Sequence, residues 1–188
     1  SADLVVSTIP VQELTKAYAL KDNEVWRSVE RLRYNSILIA FVKTKKDLCG
    51  DNFAFMTADK NIIFHRISKM DFLGENYKSD GATYMVEITY RKDDIVDRMT
   101  DRELCEAVKK GLKEIKFTED QDDAIILNMT RHPYAYVIYD INHGQNMEKI
   151  RKFYKSQGII LHGRFGNFEY WNMDKVLRES KELAGWII

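Results

Sequence analysis

At Tyr34 the hydrophobic period of this chain changes, and the change limits what it can fold into. Before it, one short apolar run (residues 4–9) stops at Pro10, and two stretches with helical spacing follow, 11–20 and 24–32. Pro10 has no N–H to continue a ladder but suits a helix start. After Tyr34 the chain reads as strands: 35–43, then 53–57 and 61–67 joined by a turn at Ala58-Asp59-Lys60, a polar loop over 72–79, and 82–90. The last of these alternates apolar and polar residues, as a half-exposed strand does.

A helix over 100–115 is marked by Thr100 with Glu103 three residues on, a capping box, and by the stripe Leu104, Ala107, Val108, Leu112. Strands at 124–129 and 134–139 flank Pro133. A helix within 142–157 carries Met147, Ile150, Phe153 and Tyr154 on one face and stops at Gly158. An apolar strand at 159–162 and a final helix close the chain. This order is α+β: a mixed, mainly antiparallel sheet with helices. The expected organisation is one sub-domain from the two chain ends (1–20 and 156–188), with the middle (21–155) inserted as a second domain. Residues 4–9 and 159–162 should pair as parallel strands, since both are apolar enough to be covered on two faces.

Composition excludes several roles. Of 188 residues, 45% are apolar, enough for a core. Lys plus Arg and Asp plus Glu are both 29, so no net charge draws the chain to nucleic acid or to an anionic membrane. No apolar run approaches the ~18 residues of a membrane span. Cys49 and Cys105 lack CxxC spacing and fit two buried thiols in a reducing cytoplasm. The four histidines show no metal-ligand spacing, so no metal is expected, and no catalytic acid, base or nucleophile can be named. The acidic run 119–123 reads as a solvated loop.

The segment Gly163-Arg164-Phe165-Gly166-Asn167-Phe168-Glu169-Tyr170-Trp171-Asn172-Met173-Asp174 carries the chemistry. A strand delivers an arginine between two glycines, and a helix then opens at an Asn/Asp pair. A guanidinium can grip two phosphate oxygens at once, and glycines let backbone come close to a ligand. Asn172, Met173 and Asp174 either cap the last helix or present its N–H groups and positive dipole end to an anion. Tyr170 and Trp171 either line a flat ligand or fill the core.

This closing segment resembles the C-terminal FAD-contacting motif of flavin-dependent amine oxidase and protoporphyrinogen oxidase-like proteins. It is most similar to a bacterial branch linked to lipopolysaccharide biosynthesis, with UDP-galactopyranose mutases as cousins. Two further stretches carry the likeness. Ala2-Asp3-Leu4-Val5-Val6-Ser7-Thr8-Ile9-Pro10 resembles the exit from the dinucleotide-binding domain. Arg131 to Tyr136, Tyr139-Asp140 and Met147 to Ile150 resemble the return path.

The resemblance implies cofactor contacts at Gly163, Arg164, Phe165, Gly166, Tyr170, Asn172, Met173 and Asp174, and an aromatic substrate wall at Tyr134, Tyr136 and Tyr139. It implies an FAD-dependent oxidoreductase acting on a small molecule of lipopolysaccharide or surface-polysaccharide synthesis, with a nucleotide-sugar mutase or a non-catalytic binding module as alternatives; the cysteine and charge readings above add a cytoplasmic location and no nucleic-acid partner. The GxGxxG fingerprint of such proteins is missing. The chain is therefore expected to be a truncated fragment that is inactive alone, does not retain FAD, and has the N-terminal FAD-binding portion as its partner.

Overall fold

A computed structural model describes residues 2, 4–19, 23–78 and 80–187. It divides into two compact units, residues 1–34 with 136–188, and residues 35–135. The expected boundaries lay at 20/21 and 155/156. The compact units divide elsewhere because two helices, at 24–30 and 143–156, belong with the chain ends.

In the first unit, β1 (Val5–Ser7) pairs in parallel with β7 (Ile159–Leu161), Val5 facing Ile159 and Ser7 facing Leu161. The expected meeting of the two ends is thus observed. Helix α5 (His143–Ser156) packs on β7, α2 (Glu24–Glu30) on α5, and α1 (Val11–Ala17) on α2. Val11, Val29, Met147, Ile150 and Tyr154 of these helices make one core with Leu161 of β7 and with Phe168. Full burial of side chains like Met147 and Ile150 stabilises by about 1.5–3 kcal/mol each. The buried Tyr154 hydroxyl meets Thr15 Oγ1 at 2.8 Å, so its polar end is satisfied inside that core. Asn23 caps α2 by accepting from Trp26 N at 2.8 Å. The break expected at Lys21-Asp22-Asn23 falls partly outside the described residues, as do Asp3 of the opening motif and Ser79 of the polar loop.

The second unit is a five-stranded sheet in the order β3-β4-β5-β2-β6. Its strands are β2 (Arg33–Thr44), β3 (Ala54–Met56), β4 (Arg66–Lys69), β5 (Ala82–Tyr90) and β6 (Ala124–Ile138), the first two residues of β2 and the last three of β6 being counted with the first unit. β2 with β5, β4 with β5 and β3 with β4 are antiparallel. One face buries Leu38, Ala40, Val42, Ile67, Tyr84, Val86 and Ile88 in a core shared with Leu104, Val108 and Leu112 of α4 (Asp101–Glu114). The short helix α3 (Ile95–Arg98) precedes α4. The capping box is present: the Thr100 hydroxyl accepts from Glu103 N while the Glu103 carboxylate accepts from Thr100 N.

Three expectations need correction. Residues 61–64 are not strand. The β3–β4 connection is a wide loop closed by Thr57 N donating to His65 O, and it drops Ile62 and Phe64 into the core. The apolar run there serves loop burial instead of a ladder. Pro133 does not divide two strands either: β6 is continuous, which an edge position permits because a strand edge can lack an N–H. Tyr134 absorbs the distortion with φ +62°. Finally, Gly163–Gly166, expected only as the link between a strand and the last helix, forms a helical turn of its own, α6. Helix α7 (Met173–Ile187) ends the described chain.

Candidate functional site

The closing motif collects in the first unit at the carboxyl end of β7. Gly163 takes φ +74°, a turn into α6 that glycine adopts without strain. This turn sends Arg164 back over two tyrosines. Its guanidinium carbon lies 4.6 Å from the centre of the Tyr170 ring and 5.7 Å from that of Tyr136. The two rings stack with centroids 6.0 Å apart and planes 24° apart. Arg164 Nη1 also donates to Trp171 O at 3.5 Å. An arginine held on aromatic faces is positioned before any anion arrives, at little further entropic cost.

The tyrosine platform is fixed by a network that the sequence did not reveal. The Tyr139 hydroxyl donates to Glu169 Oε2 at 2.9 Å and accepts from Tyr170 N at 2.6 Å. Arg151 Nη2 donates to the other Glu169 oxygen at 3.0 Å and to Asn167 O at 3.3 Å. Burial pushes the Tyr139 hydroxyl above the usual phenol range, and the adjacent Glu169 carboxylate adds to the shift. His143 Nε2 lies 2.9 Å from Phe168 O, and its ring stacks on Phe168. Thus α5 and the end of β6 hold residues 167–171 from one side. Glu169 stands inside the motif, but Arg151 and His143 lie about twenty residues upstream with no spacing signal to connect them.

Beside this platform, Arg164, Trp171, Asn172, Met173, Val176 and Leu177 line an open, mainly apolar hollow of about 580 Å³. Asn172 precedes α7, and its carbonyl accepts the helix's first bond from Val176 N at 3.0 Å. The free N–H groups of the first turn therefore belong to the wall that carries Arg164. Met173 is 84% exposed. Trp171 is only 8% exposed, and its indole Nε1 has no hydrogen-bond partner among the described residues. An orphaned buried donor is uncommon enough to call for a missing acceptor.

The expected site residues separate as follows. Arg164, Tyr136 and Tyr170 meet directly, and Tyr139 joins them through Glu169 and Tyr170 N. Asn172, Met173 and Asp174 open α7. Phe165 is partly exposed beside Arg164 in α6. At Gly166 a Cβ would lie 2.5 Å from Ser7 O, so the missing side chain lets α6 come close to the chain's own β1. Tyr134 is buried in the second unit, at the kink of β6. Among the described residues, no three His, Cys, Asp or Glu side chains converge as metal ligands, and no helix is long and apolar enough to cross a membrane.

Comparison with known proteins shows the family and the fold. A family model described as flavin containing amine oxidoreductase matches residues 1–165. The fold is similar to the crystal structure of reduced UDP-galactopyranose mutase, with a TM-score of 0.74 and 18% identity over 90% of this chain and 37% of that one. It is similar to a provisionally assigned protoporphyrinogen oxidase from Exiguobacterium sp. 255-15, with a TM-score of 0.65 and 19% identity over 97% of this chain and 42% of that one. An oxidoreductase from Methanosarcina mazei matches at a TM-score of 0.52 and 15% identity, over 70% of this chain and 31% of that one. At these identities the likeness is one of fold. The chain spans about two fifths of the length of the first two structures. No curated protein matches.

Proposed function

Because this chain belongs to the flavin containing amine oxidoreductase family, we propose that it is the substrate-domain portion, with a remnant of the cofactor domain, of an FAD-dependent oxidoreductase acting in the cytoplasm on a small molecule of lipopolysaccharide or surface-polysaccharide synthesis. The observation that carries this reading is the placement of Arg164 on the Tyr136–Tyr170 stack beside the first turn of α7.

The residues present fit a flavin. The hollow is apolar enough for a flat conjugated ring, the Trp171 N–H has no acceptor among the described residues, and the α7 N–H groups favour an edge that gains negative charge. When bound, FAD supplies hydride transfer. Arg164 binds and orients a phosphate or the ring edge, and Tyr170 packs against it. Asn172 fixes the helix start so that the N–H groups point outward. Asp174, an anion, suits the ring better than the pyrophosphate as neighbour. Tyr136 and Tyr139 face the substrate.

The partner in this reading is the N-terminal FAD-binding portion of the same protein. Apolar surface supports it. Val5 and Val6 of β1 and the flanking Leu4 and Ile9 are 38–47% exposed, whereas parallel strands normally have both faces covered. A two-stranded sheet is marginal by itself. Helix α7 has no buried residue, and Leu177 and Trp186 are 72% and 69% exposed.

The test uses the longer protein. Arg164→Ala removes a charge-assisted contact worth roughly 1.5–3 kcal/mol, so FAD affinity should fall about ten- to a hundredfold. Arg164→Lys should recover part of it, because a point charge cannot reproduce the planar fork. Equal affinity in wild type and alanine variant would reduce Arg164 to a turn residue. The 188-residue chain alone should purify colourless, and a stoichiometric flavin spectrum would refute the fragment reading.

One observation favours a second reading, a flavin-dependent nucleotide-sugar mutase. Tyr136, Tyr170 and Arg164 could clasp a nucleotide diphosphate as readily as a flavin. Saturable binding of UDP to the longer protein, weakened by Tyr136→Ala, would favour it over an oxidase.

A further inference from the structure

The loop between β3 and β4 is held at its neck by few bonds. Thr57 N donates to His65 O at 3.0 Å, and His65 N donates to Glu87 O of β5 at 3.1 Å. Among the described residues, the loop's further hydrogen bonds are local turns: Asp59 N donates to Thr57 Oγ1, Asn61 N to Asp59 Oδ1 and Ile62 N to Asp59 O. His65 thus joins the loop to the sheet. Its imidazole Nδ1 is buried with no hydrogen-bond partner among the described residues. Its Nε2 lies 4.0 Å from Glu87 Oε2, and the Glu87 side chain is only 2% exposed. Arg66 already occupies that carboxylate, donating from Nε to Oε1 at 2.7 Å and from Nη2 to the same oxygen.

We propose that His65 is an acid-operated latch: as the neutral imidazole it lets the 57–65 loop close on β5, and on taking up a proton it releases the loop. A neutral imidazole carries its one proton on Nε2, toward Glu87, and leaves Nδ1 a bare lone pair. The imidazolium carries protons on both nitrogens, and the second is then a buried N–H with no acceptor. Among the described residues, the charged groups facing the ring are Glu87 of β5 and Arg66 of β4. The first attracts an imidazolium, the second repels it, and the two are paired with each other. Burial therefore decides, and it holds the His65 imidazole below its ordinary range. A histidine that resists protonation when the loop is closed and accepts it when the loop is open couples the two states to pH. Closure is strongest above the ordinary histidine pKa of about 6.5 and weakens as pH falls below it. Phe64, next to His65 in the chain, walls a hollow of about 230 Å³ with Phe55, Arg66 and Phe117, so release of the loop widens that hollow. The inference does not rest on the flavin reading, because it uses only the second unit.

Hydrogen exchange of the 188-residue chain from pH 7 to pH 5, with each rate corrected for the intrinsic pH dependence of exchange, reads the latch. The Thr57 and His65 amides make the two closing bonds. Their opening should rise toward the acid by up to about 25-fold, the limit for one group of pKa about 6.5 that is protonated only in the open state. Amides of the β2–β5 ladder should not follow. Over the same range the His65 ring, followed by nuclear magnetic resonance, should titrate below the ordinary histidine value. His65→Gln, which has no proton to take up, should abolish the rise at Thr57. His132→Gln, at an exposed histidine of β6, should leave it. Equal protection of Thr57 and His65 at pH 7 and pH 5 would overturn the proposal. So would a rise that survives His65→Gln, one that His132→Gln removes, or a His65 ring that titrates at or above the ordinary histidine value.

Discussion

The Tyr139 hydroxyl stands between the Glu169 carboxylate and the Tyr170 backbone, 2.9 Å from Glu169 Oε2 and 2.6 Å from Tyr170 N. It joins the end of β6 to the segment that carries the Arg164 platform. Tyr139→Phe deletes both hydrogen bonds and leaves the ring. Stability should fall by about 1–2 kcal/mol, read as a lower urea midpoint with unchanged slope. An unmoved midpoint would mean that Arg151 alone holds Glu169.

Two glycines should respond in opposite directions. Gly166→Ala forces a Cβ to within 2.5 Å of Ser7 O, and backbone must move to admit it. The expected loss is about 1–3 kcal/mol. Gly144 lies in the first turn of α5 with open space around its Cβ position. Gly144→Ala should raise stability by about 0.5 kcal/mol through the unfolded chain's entropy. Thermal melts of the two variants, side by side, check the pair.

The acid limb of stability should depend on Asp47. Lys69, 8% exposed, is hydrogen-bonded to the Asp47 carboxylate and to Gly50 O, and the Tyr84 hydroxyl donates to Asp47 at 3.3 Å. Burial pushes the Asp47 carboxyl up, but the Lys69 ammonium and the Cys49 N–H outweigh it and hold the group below its ordinary value. A depressed carboxyl contributes stability above its unfolded pKa of about 3.9 and loses it as pH falls through the lower folded value. Asp47 is partly solvated, so screening weakens the pair, and Asp47→Asn should cost about 0.5–1.5 kcal/mol near neutral pH and flatten the stability profile below about pH 4. Urea titrations from pH 2 to 7 read both effects, and a parallel profile for the variant would contradict them.

The sequence showed most elements because burial and local chemistry agreed there. The α4 stripe and the Thr100–Glu103 box are both local signals, and both are present in the structure. The parallel pairing of β1 with β7 was legible because both runs are apolar. It failed where tertiary packing used an apolar run differently, as at Ile62 and Phe64, which fill the core from a loop. Residue type alone also could not show that Gly166 lies against Ser7 O of β1. Within the site, Arg164 and Tyr170 belong to the closing motif and Tyr136 to the expected substrate wall, and their stacking requires two segments about thirty residues apart. Arg151, Glu169 and His143 are ordinary helix and loop residues until the fold brings them to Tyr139 and Phe168.

The register of β1 on β7 puts Val5 opposite Ile159, 154 positions later. Closing so large a loop costs roughly 4.5 kcal/mol from its logarithmic term alone, before any contact is gained. The second unit is continuous in sequence, and its core residues, Leu38 to Ala124, all lie inside it. A nascent chain can thus consolidate the five-stranded sheet while its first strand still waits for a partner. All three tryptophans, Trp26, Trp171 and Trp186, fall in the discontinuous unit. Their fluorescence in a refolding experiment is a clock for the late closure only, and the sheet's assembly passes unseen by it.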